Sequence, residues 1–325
     1  MSRDAGAPRN RVVSALLSQL PHWVRARVVG TSASPPPPPR LAFDAQDALR
    51  SVLERRLIFV ISTGRSGTDY LSHVLDLFQD VYAVHEPEPS FTNAFRTIAA
   101  APHLARQFWL DHKLPAIARS PAPIYAETSH LACKGFLESG IDLGLRPTLI
   151  HLVRCYRDTA RSMLALNTIP ARTFNGVRFY LGPGDRAFLP VPLAVFDRWH
   201  DYQLCYWYCL EIGERARVYA ERFRPLGIVV ERVELDEIRT APGVHDLALR
   251  LTLGPLSKDG ARRLDSIVGQ RTNQKTNVKQ SRELSDDELT RLEREVEAAV
   301  ASGPRAESAP RAANHRCLST TGVST

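Results

Sequence analysis

The chain predicts an α/β fold of three layers, a central parallel sheet covered by helices on both faces, and three observations carry that prediction. Residues 57–61 are five consecutive apolar residues, the pattern of a strand buried on both faces. Tyr70, Leu71, Val74, Leu75 and Phe78 then recur at helical spacing, and the same change from strand to helix is repeated along most of the sequence. With 44% apolar residues among 325, there is enough for a sizeable core, and no internal repeat points to a solenoid.

Taken in order, residues 12–29 carry Val12, Val13, Leu16, Leu17 and Leu20 ahead of Pro21, a short amphipathic pattern within a basic leader. Pro35 to Pro39 form a stiff spacer that buries nothing and marks a boundary. The expected organisation is a disordered, basic and proline-rich leader over 1–40, an α/β domain over 41–300 and a disordered tail over 301–325. A helix is expected over 44–56, then the strand 57–61, a turn over 62–68 and its helix. A short strand at 81–84 runs into His85-Glu86-Pro87-Glu88-Pro89, where two prolines keep the carboxylates on extended backbone. Residues 91–118 read as mostly helical, 124–130 as a strand with polar residues at its end, and a helix should follow from Leu131. Another buried strand spans 148–153, after which Asp158 is the expected N-cap of a helix through Ala160, Met163, Leu164 and Leu166.

Residues 172–192, with Gly176, Gly182, Pro183, Gly184, Pro190 and Pro192, predict a long loop of the kind that serves as a lid or binding loop. One long helix is expected over 193–223, its stripe of Phe196, Trp199, Tyr202, Tyr206 and Cys209 facing the core. A strand at 228–233 and a charged helix at 285–300 complete the pattern.

The net charge of +7 is consistent with nucleic-acid binding only if it sits on the folded part. It does not. Residues 1–40 hold six arginines and one aspartate (+5) and residues 301–325 three arginines and one glutamate (+2), which leaves 41–300 neutral. Five scattered cysteines form no disulfide framework, and Cys205 and Cys209, four apart on a helix without matching ligands, read as core thiols. No apolar run reaches the length of a membrane span and no signal-peptide core is present, so a soluble protein of the cytoplasm is expected.

The turn Ser62-Thr63-Gly64-Arg65-Ser66-Gly67-Thr68 joins the first strand to its helix at the carboxyl edge of the sheet. There the helix N-terminus favours an anion. Gly64 and Gly67 let the backbone approach it, Arg65 adds a forked cation, and Ser66 and Thr68 add hydroxyls. The nucleotide version of such a cradle needs Gly-Lys-Ser/Thr, whereas Gly67 is followed directly by Thr68 and no lysine occurs over 57–78. A second anchor lies at Arg154, which leaves the end of a buried strand, and Ser162, eight residues on in the next helix. Both can address one anion at the same sheet edge.

Thr-Gly-Arg-Ser-Gly-Thr after a strand resembles the 5′-phosphosulfate loop of sulfotransferases that use 3′-phosphoadenosine 5′-phosphosulfate (PAPS), and the Arg154 to Ser162 pair resembles their 3′-phosphate motif. The likeness covers about residues 57–280 and is greater to the carbohydrate-type and bacterial membrane-type relatives than to the cytosolic type, which has lysine in place of Arg65. It implies a P-loop-like fold and PAPS as co-substrate, bound by Thr63, Gly64, Arg65, Ser66, Gly67, Thr68, Arg154 and Ser162 without a metal. It also implies that a segment rich in Asn and Lys closes over the co-substrate, the matching residues being Asn273 and Lys275, and that a carboxylate soon after the loop helix is the base, matching Glu86.

The reaction implied is in-line transfer of a sulfuryl group to an acceptor hydroxyl, on a carbohydrate or another small or glycan acceptor, with Arg65 stabilising the leaving phosphate. His85, whose intrinsic pKa lies nearer neutrality, is the alternative base. Tyr125, Glu127 and His130, at a strand end, are candidates for the acceptor pocket. Two other readings of the same residues are a P-loop kinase acting on a small molecule and a non-catalytic protein that binds adenosine bisphosphate or glycans. The first lacks its lysine. Against the second stand intact motif residues.

Overall fold

The computed structural model describes residues 45–268 and 284–303. A helix α1 (Ala45–Leu53) leads into strand β1 (Arg56–Ile61), which passes through a turn at 62–67 into α2 (Thr68–Leu75) and on to β2 (Val81–Val84). A helical stretch follows, made of α3 (Phe91–Ala100), α4 (Leu104–Phe108), a π-helical turn at Trp109–Lys113 and α5 (Leu114–Ala118). Next come β3 (Ile124–Glu127), α6 (Leu137–Asp142), β4 (Thr148–Val153), α7 (Tyr156–Ala165) and α8 (Phe174–Phe179). Then follow α9 (Leu193–Phe196), α10 (Asp201–Phe223), β5 (Val230–Glu234), α11 (Ala241–Arg250), α12 (Lys258–Ile267) and α13 (Asp286–Ser302).

The strands form one five-stranded sheet in the order β2-β3-β1-β4-β5, and each pairing is parallel. β1 lies in the middle, Phe59 opposite Glu127 on one side and Leu149 on the other. A central strand has both edges paired, so its side chains must be buried above and below the sheet. Leu57, Phe59 and Ile61 accordingly enter one core with residues of α3, α7 and α10, while Ile58 and Val60 enter a second core with residues of α2, α11 and α12. This is a three-layer α/β fold, an all-parallel sheet covered by helices on both faces. From β1 the chain moves to β2 and β3 on one flank, and from β3 it crosses to β4 and β5 on the other, so the carboxyl end of β1 lies at a topological switch point.

Several elements differ from expectation for identifiable reasons. The helix expected over 193–223 is broken before Asp201, where His200 closes a capping box on α10: its ring accepts from Tyr202 N at 3.1 Å and its own N–H donates to Gln203 Oε1 at 2.9 Å. Histidine is not among the usual N-cap residues, which hid the break. The loop over 172–192 contains α8, capped by Thr173, whose hydroxyl accepts from Gly176 N at 3.1 Å. The helix expected from Leu131 begins only at Leu137, beyond a turn in which Gly135 has φ +100°. Asp158 is not the N-cap of α7. That helix starts at Tyr156, and Asp158 sits in its first turn, where a carboxylate still complements the dipole.

Two charged features lie inside the helical layers. Glu127 is fully buried; Lys113 Nζ donates to its two oxygens at 2.9 and 3.0 Å, and Tyr125 OH donates at 2.7 Å. α13 is clamped to α7 and α10 by a forked Arg157–Glu293 pair (2.9 and 2.7 Å) and by Tyr206 OH donating to Glu297 at 3.0 Å. The reading of core thiols holds for Cys205 and Cys209, with Cys133 a third. Among the described residues no helix is long and apolar enough to cross a membrane.

Candidate functional site

The turn from β1 to α2 is held in a left-handed path. Gly64, Arg65 and Gly67 have φ of +73°, +61° and +90°. Space and backbone both require glycine at its two ends: a Cβ on Gly64 would lie 3.1 Å from the His130 ring, and one on Gly67 would lie 2.5 Å from Leu235 Cδ1. Gly67→Ala is therefore expected to destabilise the protein by ~1–3 kcal/mol, the range for a non-glycine residue forced into sparse backbone space, read as a lower urea midpoint at unchanged slope.

Inside the turn the small polar residues brace one another. Ser62 Oγ and Ser66 Oγ share a hydrogen bond, and Ser62 Oγ also accepts from Gly64 N at 3.1 Å. Thr63 donates to Gly64 O at 2.7 Å, and its carbonyl accepts from Tyr208 OH at 3.0 Å. Thr63 and Ser66 thus shape the loop from within. α2 has no side-chain cap, so the N–H groups of its first turn, beginning at Thr68, remain for an outside acceptor. Arg65 Nε is buried with no hydrogen-bond partner, an orphan donor that an anion seated on the turn would satisfy.

Arg154, just past β4, reaches this turn: its Nη1 donates to Arg65 O at 3.3 Å. Ser162 lies nearly two turns into α7, because that helix starts earlier than expected, and is half-buried. No hydrogen bond among the described residues joins its hydroxyl to the turn or to Arg154. The structure therefore brings together the first anchor and Arg154, with Ser162 on the helix that follows Arg154.

On the opposite flank, beyond β2 and β3, stand Glu86 and His130. Glu86 has φ +46°, rare for a residue other than glycine, asparagine or aspartate. His130 Nε2 faces Glu86 Oε1 at 3.4 Å, and the same ring lies against Gly64. His85, two residues from Pro87, is held by Thr128, its Nδ1 lying 3.1 Å from both Thr128 O and Thr128 Oγ1. Glu88 is turned away to the start of α3, where it accepts from Ser90 N at 2.9 Å and from Asn93 Nδ2 at 3.2 Å.

Tyr125 and Glu127 do not join His130 at an open pocket. Both are buried in the ion-pair cluster with Lys113, and burial raises the Glu127 carboxyl above its ordinary range despite the lysine and tyrosine beside it. Asn273 and Lys275 lie outside the described residues. A cleft of about 300 Å³ is lined by Arg96, Val177, Tyr180, Gly182, Asp185 and Phe196, mostly from the expected lid segment. Its Tyr180 ring lies 5.9 Å from the His130 ring and 4.8 Å from that of Tyr208.

Three participants were not singled out from the sequence. Ser62 braces the turn, Tyr208 anchors it from α10, and Lys134 Nζ lies 2.8 Å from His130 Nδ1. For Lys134 one signal was available, a lone lysine within the otherwise apolar stretch Leu131-Ala132-Cys133-Lys134-Gly135-Phe136.

Among solved structures, the chain is similar to a sulfotransferase domain from the curacin biosynthetic pathway, with 12% identity over 63% of this chain and 76% of that one and a TM-score of 0.42. It is also similar to mouse sulfotransferase SULT7A1 complexed with PAP, with 15% identity over 69% of this chain and 70% of that one and a TM-score of 0.34. No family model matches the chain, and no curated protein matches it.

Proposed function

We propose that this chain is a PAPS-dependent sulfotransferase that moves a sulfuryl group to an acceptor hydroxyl on a carbohydrate or another small or glycan acceptor. The observation that carries the reading is the reach of Arg154 from β4 to the carbonyl of Arg65 in the β1–α2 turn, which sets two guanidinium groups and an uncapped helix N-terminus at one rim of the sheet. A ligand with anionic groups at both ends fits that rim.

PAPS, when bound, supplies the sulfuryl group and a phosphate as leaving group. In this reading the first-turn N–H groups of α2 and the orphan Nε of Arg65 hold the leaving phosphate, and Arg154 and Ser162 hold the 3′-phosphate that distinguishes PAPS from ATP. Glu86 takes the proton of the acceptor hydroxyl as its oxygen bonds to sulfur and the sulfur–phosphate oxygen bond breaks, leaving adenosine 3′,5′-bisphosphate. Positioning and charge stabilisation do the rest.

Isothermal titration with PAPS, adenosine bisphosphate and ATP tests the co-substrate. The first two should bind at least about tenfold more tightly than ATP, a gap of ~1.4 kcal/mol; equal or tighter binding of ATP would favour the kinase reading instead. Arg154→Ala should weaken adenosine bisphosphate binding by ~1.5–3 kcal/mol, the range for a hydrogen bond to a charged group, or roughly ten- to a hundredfold. Sulfate transfer from labelled PAPS to a panel of glycans, lipids and peptides then separates an enzyme from a binding protein.

A further inference from the structure

Lys134 is 2% exposed and forms no ion pair among the described residues, an unusual state for a lysine. Its Nζ has two polar neighbours, His130 Nδ1 at 2.8 Å and the Phe179 carbonyl at 2.6 Å. The rings of Phe95, Tyr180 and Tyr208 lie around it, 5.6, 5.3 and 5.1 Å away.

The protons in this contact can be placed by counting donors. A charged amine has only N–H groups to offer, and a neutral one has two N–H groups and one lone pair. One N–H goes to the Phe179 carbonyl. If His130 Nδ1 carries no hydrogen, Lys134 satisfies it in either charge state. If Nδ1 carried one, the contact would hold only for a neutral lysine whose lone pair points at the ring, and an imidazolium would set donor against donor at 2.8 Å. The arrangement that survives in both states of the lysine has a neutral imidazole with its hydrogen on Nε2, the atom that faces Glu86 Oε1.

We propose that Lys134 is a positioning residue: it locks His130 in the neutral, Nε2-protonated form, which turns that N–H toward one oxygen of Glu86, 3.4 Å away, and leaves the other oxygen to accept a proton. Burial, then Lys134, His85 and Arg65 in turn, hold the imidazole well below its ordinary pKa, in keeping with a neutral ring. Burial also brings Lys134 down to about 7, against the opposing pull of Cys133 and Glu86 and with the further push of Arg96 and Arg215. The catalytic meaning of the relay rests on the reading of Glu86 as base; the protonation of His130 does not.

Long-range proton–nitrogen NMR of the full chain, labelled with nitrogen-15 in histidine, reads that protonation directly. The signal that disappears in His130→Gln should show a protonated-type Nε2 and an unprotonated-type Nδ1 from about pH 6 to 8, where an unperturbed histidine titrates. A wild-type ring that is Nδ1-protonated, or doubly protonated near neutral pH, overturns the proposal without any variant. Lys134→Met keeps an unbranched side chain one atom shorter and removes the donor, and should release the ring into a mixture of forms with a cooperative melt retained; an unchanged spectrum overturns the role of the lysine. In transfer assays Lys134→Met should lower kcat about tenfold or more with KM for PAPS unchanged, in the manner of a lost positioning contact. An equal kcat overturns the relay, whereas a wild-type protein that binds no PAPS and transfers no sulfate, yet shows the expected ring, sinks the sulfotransferase reading and leaves the lock standing.

Discussion

Glu86→Gln is expected to lower sulfuryl transfer by ~10²–10⁴-fold, the usual contribution of a positioned base, with PAPS binding as tight as in the wild type. The amide keeps the shape of the carboxylate and loses its basicity. Binding should persist because Glu86 stands on the β2–β3 flank, across His130 from the turn that would hold phosphate. Two controls sharpen the test. His85→Asn should have a smaller effect, since His85 Nδ1 is already engaged by Thr128, and Glu88→Gln a smaller one still, since its oxygens serve Ser90 and Asn93 at the start of α3. Turnover lost only in the histidine variant would transfer the role of base to His85.

The second large effect concerns stability. Lys113→Met alone should destabilise the protein by ~3–5 kcal/mol, because it leaves the Glu127 carboxylate buried with only Tyr125 OH to answer it. Lys113→Met combined with Glu127→Leu should recover most of that loss, since an apolar replacement of a whole buried pair is often neutral or better. Urea titrations of wild type, both single variants and the double variant give the coupling. The pH dependence of the lysine variant has a definite sign. Burial already raises the Glu127 pKa in the folded state, and removing Lys113 takes away an influence that lowers it. The folded protein then binds more protons than the unfolded chain above the unfolded carboxyl pKa, so the stability deficit grows as pH rises through that window and shrinks in acid. A deficit that grows in acid would mean that Glu127 is not the group left uncompensated.

Much of the fold was legible because its main signals are local. The run 57–61 announces β1 by being apolar on both faces, and the glycines of the next turn announce a closely approachable backbone, whose left-handed path at Gly64 and Gly67 the structure adds. Partners set by tertiary packing were not legible. Glu127 looks like a pocket carboxylate because it ends a strand, yet its fate is decided by Lys113, which a π-helical turn carries beneath the sheet. Lys134 belongs to no motif, and its meaning emerges only when Phe179, far along the chain, supplies a carbonyl to it. Helix starts were misplaced where the capping group was unusual, as at His200, or absent, as at Cys155 ahead of α7.

The central place of β1 in the sheet has an implication for how such a protein can diversify. Its turn divides the rim in two, Arg154 and α7 to one side, Glu86, His130 and Lys134 to the other. In the proposed reaction the first side grips the donor and the second greets the acceptor. On that proposal, a graft of residues 85–135 between relatives is expected to carry the choice of alcohol with it.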